Sequence, residues 1–96
     1  MTKVDVVNFL SSHKQELQEK FGITKLALFG SYARDEQTED SDIDLAIVEM
    51  EKNDYFKRVH AKYYLEKELQ KGVDIGYLKS MRNFIKRRVE KELIYV

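Results

Sequence analysis

The amino-acid sequence predicts an α/β (α+β) fold: a small mixed sheet of about three strands flanked by helices, in the order α-β-α-β-α-β-α. Three short apolar runs, residues 25–29, 43–50 and 73–78, are bounded by glycine or polar residues and suit buried strands. The longer segments around them space apolar residues at helical intervals. With 96 residues, of which 43% are apolar, the chain is expected to form a single domain over residues 1–96.

The first half of the chain opens with a predicted helix over residues 4–21, in which apolar side chains recur at roughly helical spacing. Gly22 follows at the place where a helix C-terminus is expected. The first strand, residues 25–29, then ends at Gly30. Helical signals resume at Ser31 for one or two turns.

The second half alternates strand and helix in the same way. The run over residues 43–50 has acidic residues on both sides and predicts the second strand. Asp54 is expected to cap a long helix over residues 55–70, which a glycine cap at Gly72 would end. After the third strand, a last helix is expected from residue 81 to about residue 94, because apolar positions keep helical spacing between basic residues.

Composition excludes several kinds of site. No cysteine is present, so disulfides and thiolate metal sites are excluded, and carboxylates are the main candidate metal ligands.

No apolar run approaches the roughly 20 residues needed to cross a bilayer, and the first residues lack a secretory apolar region. We therefore expect a cytoplasmic protein that does not bind membranes.

The net charge of zero hides an uneven distribution. Residues 35–54 hold nine acidic side chains and one base, whereas residues 55–96 hold eleven Lys or Arg against five Asp or Glu. The densest basic point, residues 86–88, is typical of a solvated helix face, although attraction to an acidic partner also fits it. The overall charge gives no signal for direct nucleic-acid binding, and none is predicted.

A strand-to-helix turn at Gly30 and Ser31 is a candidate phosphate-binding site. Glycine lets the backbone approach a phosphate closely, and the N–H groups in the first turn of a helix point at an anion. Ser31 alone fits equally well as an ordinary helix N-cap. Arg34 lies one turn later, where its guanidinium could reach the same phosphates or pair with a surface acid such as Asp35 or Glu36.

Three aspartates are candidate metal ligands and catalytic residues. Asp42 and Asp44 lie two residues apart at the head of a strand, so their side chains leave the same face and could share one cation or bridge two. A solvated acidic turn is the alternative. Asp74 lies in the third strand, and the three carboxylates converge if that strand neighbours the strand of Asp44. An edge strand with one wet face is the alternative for Asp74.

A calcium loop must also be weighed, because the acidic residues reproduce the start and end of an EF-hand loop. Asp40 and Glu51 would take its first and twelfth positions. The sixth position requires glycine, and here it is Leu45. The residues that follow form a strand-like apolar run, so the calcium interpretation fails on its context.

Together these motifs resemble the DNA polymerase beta-like nucleotidyltransferase superfamily, which combines a Gly-Ser turn, an Asp-x-Asp pair shortly after it and a third acid on a later strand. The residues that match this pattern in order and spacing are Gly30, Ser31, Asp42, Asp44 and Asp74. More closely, residues 30–34 and 41–45 resemble the minimal nucleotidyltransferases, the antitoxin partners of HEPN-domain toxins. The resemblance covers nearly the whole chain.

The resemblance implies a nucleotidyltransferase fold and an Mg²⁺-dependent protein adenylyltransferase. Asp42 and Asp44 would hold two Mg²⁺ ions that bridge the triphosphate of ATP, and Asp74 would complete one metal site and help deprotonate or orient the attacking hydroxyl. The resemblance also implies that Gly30 and Ser31 hold the leaving phosphates of ATP and that Arg34 offsets their charge. AMP would pass from ATP to a hydroxyl of a cognate HEPN toxin, expected to be a tyrosine, and so silence the toxin.

Two alternatives stay open, namely an antitoxin that masks its toxin by contact alone and a nucleotidyltransferase for a small molecule. The second is less favoured, because such enzymes add a further domain for the acceptor and 96 residues leave no room for one. The basic helix over residues 82–91 and the apolar tail over residues 93–96 are candidate contact surfaces, although a packed helix explains them as well.

Overall fold

Five α-helices and four strands make up the fold, which the computed structural model describes over residues 1–96. The helices are α1 (Lys3–Ser12), α2 (Lys14–Phe21), α3 (Gly30–Ala33), α4 (Tyr55–Leu69) and α5 (Asn83–Glu90). The strands are β1 (Ile23–Phe29), β2 (Ile43–Met50), β3 (Val73–Tyr77) and β4 (Ile94–Tyr95), and a short 3-10 turn, Leu78–Ser80, follows β3. No helix is both long and apolar enough to cross a membrane.

The four strands form one mixed sheet in the order β3-β2-β1-β4. β1 is antiparallel to β2 and to β4, whereas β2 and β3 run parallel. Parallel strands need a crossover connection, and α4 supplies it. The predicted α/β fold with a small mixed sheet is confirmed, and β2 and β3 are the neighbours that convergence of the aspartates requires.

The two faces of the sheet carry different layers. A cluster of 15 buried residues joins one face to α1, α2 and α4, and Leu45 and Ile47 of β2 belong to it. Ala46 lies between them in sequence but belongs to a second, smaller cluster with Leu78 and Val89. Because successive strand residues face opposite sides, α5 covers the face opposite to the other long helices.

The helix predicted over residues 4–21 is two helices, because His13 interrupts it with φ −109° and ψ 11°. Next to it, the Ser12 hydroxyl donates a hydrogen bond to the main-chain carbonyl of Asn8 at 2.7 Å. The Nδ1 atom of His13 lies 2.7 Å from the carbonyl oxygen of Phe9. Side chains that bond nearby carbonyls compete with the helical main-chain bonds and bend a helix, which apolar periodicity does not reveal.

Only one of the two predicted glycine caps is present. Gly22 ends α2 with φ 69°, as predicted. The cap of α4 is instead Gln70, which takes a left-handed φ of 55°, so the predicted cap at Gly72 is wrong. Asp54 caps the start of α4 as predicted, accepting a hydrogen bond from the main-chain N–H of Lys57 at 3.2 Å.

The prediction for the last residues is wrong in part. α5 ends at Glu90, well before residue 94, and Ile94–Tyr95 pair with β1 as a fourth strand beyond the three predicted. The main-chain N–H of Val96 also donates to the carbonyl of Leu26 at 3.2 Å. The open edge of β1 offers main-chain partners to this β-branched and aromatic segment, and that pairing outweighs its helical periodicity.

Candidate active site

The turn between β1 and α3 closely approaches a carboxylate. Gly30 is buried and adopts φ 77°, a left-handed conformation that favours glycine. A Cβ atom at this position would lie 2.1 Å from the Oδ2 atom of Asp44, so any side chain here would displace that carboxylate. Ser31 follows in the first turn of α3, partly buried. The Gly-Ser turn and Asp44, the second aspartate of the Asp-x-Asp pair, are therefore in direct contact.

Strand register brings the aspartates to one face of the sheet. Asp44 of β2 pairs with Asp74 of β3 in the parallel ladder, so their side chains leave the same face. Asp42 lies two residues before Asp44, and its Oδ1 atom would be 2.3 Å from a Cβ atom at Gly72. Each carboxylate of the Asp-x-Asp pair thus lies against a glycine. The three aspartates gather at the start of β2 and β3.

Burial and the crowding of like charges together raise the pKa of Asp44. Burial of its carboxyl group is the largest cause, and the charges of Asp74 and then Asp42 add to it. Asp42 and Asp74 are exposed, and none of the three takes part in an ion pair. A cation between these carboxylates would relieve the repulsion, because an opposite charge nearby favours the ionised form.

The carboxylates suit a hard cation such as Mg²⁺, which prefers oxygen ligands. No group of three His, Cys, Asp or Glu side chains is arranged to hold a metal ion with protein atoms alone. Mg²⁺ is usually bound through one or two carboxylates together with substrate phosphates. Asp42 and Asp44, with Gly72 and Gly30 making room beside them, fit that mode of binding.

Arg34 is engaged by two carboxylates. Its Nε atom donates to Glu36 at 2.8 Å, and its Nη1 atom donates to both oxygens of Glu92, at 2.9 and 3.2 Å. The bonds to Glu36 and then to Glu92 raise the pKa of the Arg34 guanidinium. Glu92 also accepts a hydrogen bond from the main-chain N–H of Gly30 at 3.1 Å. The pairing with Glu36 is the surface ion pair that the sequence offered as the alternative to phosphate binding.

A cleft of about 370 Å³ opens beside the turn, and α5 forms its other side. The predicted residues that line it are Gly30, Ser31, Arg34 and Asp44, and the additional ones are Phe29, Ile85, Arg88, Val89 and Glu92. Arg88 makes no ion pair. Sequence reasoning missed the contribution of α5, for which the only signal was the basic run over residues 86–88, interpreted as a helix face or contact surface.

A second groove of about 300 Å³ lies on the α4 side of Asp74. Tyr55, Arg58, Lys62 and Tyr63 of α4 line it. The Arg58 guanidinium lies 5.7 Å from the centre of the Tyr55 ring, and its buried Nε atom has no hydrogen-bond partner. Asp74 therefore borders this groove, while its ladder partner Asp44 lines the larger cleft.

Residues 10–96, which include this cleft, match the family model of the nucleotidyltransferase domain. The chain belongs to the nucleotidyltransferase family. The family that the Gly-Ser and Asp-x-Asp motifs predicted is therefore confirmed, and with it the assignment to the transferases.

Two relatives of this nucleotidyltransferase match it along nearly their whole length. The protein adenylyltransferase MntA of Thermococcus cleftensis is 35% identical over 96 residues, which cover 100% of this chain and 97% of the relative. A Methanocaldococcus jannaschii protein, provisionally named a protein adenylyltransferase, is 40% identical over 96 residues, covering 99% and 98% of the two chains.

Solved structures share the fold of this nucleotidyltransferase. One, provisionally described as a minimal nucleotidyltransferase, has a TM-score of 0.80 and 28% identity, covering 98% of this chain and 95% of that one. A toxin-antitoxin crystal structure with AMP-PNP has a TM-score of 0.72 and 23% identity, covering 99% of this chain and 72% of that one. The predicted nucleotidyltransferase fold is confirmed. The residues whose individual roles stay predictions are Gly30, Ser31, Arg34, Asp42, Asp44 and Asp74.

Proposed function

We propose that this nucleotidyltransferase is an antitoxin that transfers AMP from ATP to a tyrosine hydroxyl of a cognate HEPN toxin and so neutralises it. The observation that carries the proposal is the pairing of Asp44 with Asp74 beside the Gly30 turn, because it joins an anion-binding turn to metal-binding carboxylates. The name of the Thermococcus relative supports a protein acceptor, and the toxin-antitoxin structure with AMP-PNP supports the partner and the nucleotide.

Asp42 and Asp44 would hold Mg²⁺, with Asp74 completing one of two sites. The metal would neutralise charge on the triphosphate and lower the pKa of the acceptor hydroxyl. Burial raises the pKa of Asp44 and the charges of Asp74 and Asp42 add to it, so the ionised carboxyl group is favoured by the uptake of positive charge at this point. Catalysis then rests on positioning and electrostatics.

On the nucleotide side, we assign the triphosphate to the turn at Gly30 and Ser31, with Arg34 and Arg88 offsetting its charge. Arg88 joins the predicted residues here because it lines the same cleft and has no carboxylate partner. A guanidinium without a partner gives up no ion pair when it binds a phosphate. The adenosine would lie in the remainder of the cleft beside α5.

On the acceptor side, we assign the tyrosine to the groove beside Asp74, which shares no lining residue with the cleft that we assign to ATP. The phenolic oxygen forms a bond to the α-phosphorus as the bond to pyrophosphate breaks, and the phenolic proton passes to the Asp74 carboxylate. Tyr55 and Tyr63, which line this groove, are 63% and 60% exposed and can contact a protein partner.

Labelled ATP, Mg²⁺ and the product of the neighbouring gene provide the test. We expect label to appear on that product, and we expect Asp42→Asn and Asp44→Asn each to abolish transfer, because each removes a charged metal ligand. Asp74→Asn should lower the rate of transfer more than it weakens ATP binding, because Asp42 and Asp44 remain to hold Mg²⁺ on the triphosphate. Mass spectrometry of the labelled product identifies the acceptor residue.

Asp40→Asn is the matched control, since Asp40 is exposed and lies two residues before the Asp-x-Asp pair. This variant should transfer AMP at the wild-type rate. Failure of the wild-type protein to label the partner at all would count against the proposed function.

Neutralisation by contact alone is the second candidate, favoured by the exposed aromatic side chains on α4 and α5. Phe56 and Phe84 are 71% and 64% exposed. If Asp42→Asn neutralises the toxin in cells as well as the wild-type protein does, contact is sufficient. If only the wild type neutralises it, transfer is required.

A further inference from the structure

Glu92 joins the phosphate-binding turn to Arg34 through one carboxylate. Its Oε1 atom accepts from the main-chain N–H of Gly30 at 3.1 Å and from Arg34 Nη1 at 3.2 Å. Its Oε2 atom accepts from the same Nη1 at 2.9 Å. The Glu92 side chain is 27% exposed and that of Arg34 is 45% exposed, so this bridge lies at the mouth of the cleft.

The two donors that Glu92 occupies are groups that the proposed function assigns to the triphosphate. A carboxylate and a phosphate are both anionic acceptors, and both form charge-assisted bonds with a guanidinium and with main-chain N–H groups. One N–H of Gly30 donates well to only one of them at a time. The charge of Glu92 also reaches the metal-binding side of the cleft, where it contributes to the raised pKa of Asp44.

The Glu92 side chain has two sets of possible partners, Arg88 on one side and the Gly30 turn with Arg34 on the other. Arg88 lies four residues earlier and lines the same cleft, yet it makes no ion pair with Glu92. The carboxylate turns instead to the Gly30 turn and Arg34. Because the side chain is partly exposed, it can leave these donors for solvent by rotating about its own bonds.

We propose that Glu92 is an internal competitor of the nucleotide: its carboxylate occupies the Gly30 N–H and the Arg34 guanidinium in the free protein and leaves them when the triphosphate binds. This inference rests on the proposed function, because it requires the triphosphate to use these donors. A competitor lowers the apparent affinity in proportion to the fraction of molecules in which it holds the site. Glu92 thus sets the ATP concentration at which the protein becomes loaded.

The variant Glu92→Gln removes the charge and preserves the size of the side chain. We expect it to bind Mg²⁺ and AMP-PNP about three to ten times more tightly than the wild type in calorimetric titration, because ion pairs of this exposure contribute modestly. Glu92→Asp retracts the carboxylate by one methylene and should change the affinity in the same direction. Glu90→Gln, an exposed residue that makes no ion pair, is the control and should not change it.

The amide signal of Gly30 in ¹⁵N NMR spectra gives a second measurement. We expect it to move when AMP-PNP is added to the wild type, and to be displaced already in nucleotide-free Glu92→Gln. Unchanged or weaker nucleotide binding by both Glu92 variants overturns the inference. So does nucleotide binding by the wild type that leaves the Gly30 signal in place.

The outcomes separate this inference from the proposed function. A wild-type protein that binds AMP-PNP and shows the Glu92 effects, but labels no partner, overturns the proposed transfer and supports the competitor. A protein that labels its partner but shows no Glu92 effect supports the transfer alone. Absence of any nucleotide binding overturns both.

Discussion

At the scale of single residues, Gly30 and Asp44 depend on each other. Replacing Gly30 by alanine would place a Cβ atom 2.1 Å from Asp44 Oδ2 and impose φ 77° on an L-residue. We expect Gly30→Ala to lower the free energy of unfolding by about 2 kcal/mol, from backbone strain and displacement of the carboxylate. Transfer activity should be lost as well. Urea denaturation and the labelling assay measure the two effects.

Gly76→Ala is the control for this prediction. Gly76 has no positive φ, and an added Cβ atom would meet only the methyl end of the flexible Met81 side chain, at 3.0 Å. We expect a change in the free energy of unfolding of less than about 1 kcal/mol. Equal destabilisation by the two alanines would contradict the argument from close approach.

The residues of the site differ in how far the sequence predicts them. Gly30, Asp42 and Asp44 form a local motif whose spacing is visible in the chain, and Asp74 follows from one assumption about neighbouring strands. Glu92 bonds Gly30 across 62 positions. No pattern near Glu92 or Gly30 signals that contact, because it depends on how α5 packs against the sheet.

At the scale of elements, α5 forms one side of the cleft, and its basic residues differ in whether they face it. Arg88 lines the cleft, whereas its neighbour Arg87 does not. We expect Arg88→Gln to weaken ATP binding about tenfold, or about 1.4 kcal/mol, because it removes the charge-assisted bond that we propose Arg88 makes to the triphosphate. Arg87→Gln, exposed on the same helix, should bind as the wild type does. Similar losses in both variants would indicate a general effect of basic charge instead of a contact.

Periodicity predicted most of the elements but not their ends. The three long strands are short apolar runs, and α4 keeps apolar residues at helical spacing. These four elements form where the sequence predicts them. The break at His13 depends on hydrogen bonds from side chains to carbonyls, and β4 depends on the free edge of β1. Both are tertiary or side-chain effects that compete with helical spacing. Gly72 follows a helix end, which favours a glycine cap, but its missing side chain instead allows the close approach of Asp42.

At the scale of the whole molecule, Asp44 makes the free energy of unfolding depend on pH. An acid whose pKa is raised on folding binds its proton more tightly in the native state. The stability from Asp44 is therefore fully present below the ordinary aspartate pKa of 3.8, and it is lost as the pH rises through the raised value. At neutral pH without metal, the ionised Asp44 lowers the free energy of unfolding.

We therefore expect Asp44→Asn to raise the Tm of the metal-free protein at pH 7 by about 2–4 °C, since solvent screens this partly exposed group. Mg²⁺ added together with AMP-PNP should raise the Tm of the wild type and have less effect on the variant. Thermal unfolding followed by circular dichroism, with Asp40→Asn as the control, measures both. A lower Tm for Asp44→Asn at pH 7 would contradict the conclusion that ionised Asp44 destabilises the metal-free protein.

The parallel ladder between β2 and β3 makes the proposed metal site depend on the alignment of the two strands. A slip of β3 by one residue would set Val73 or Ile75 opposite Asp44 and turn Asp74 to the face that packs against α4. The same slip would bury a charge and expose apolar side chains, so the misaligned chain is also the unstable one. A well-packed sheet and an intact candidate site therefore both require the same alignment of β2 and β3. A mutation that loosens this register should therefore reduce transfer activity and the free energy of unfolding together.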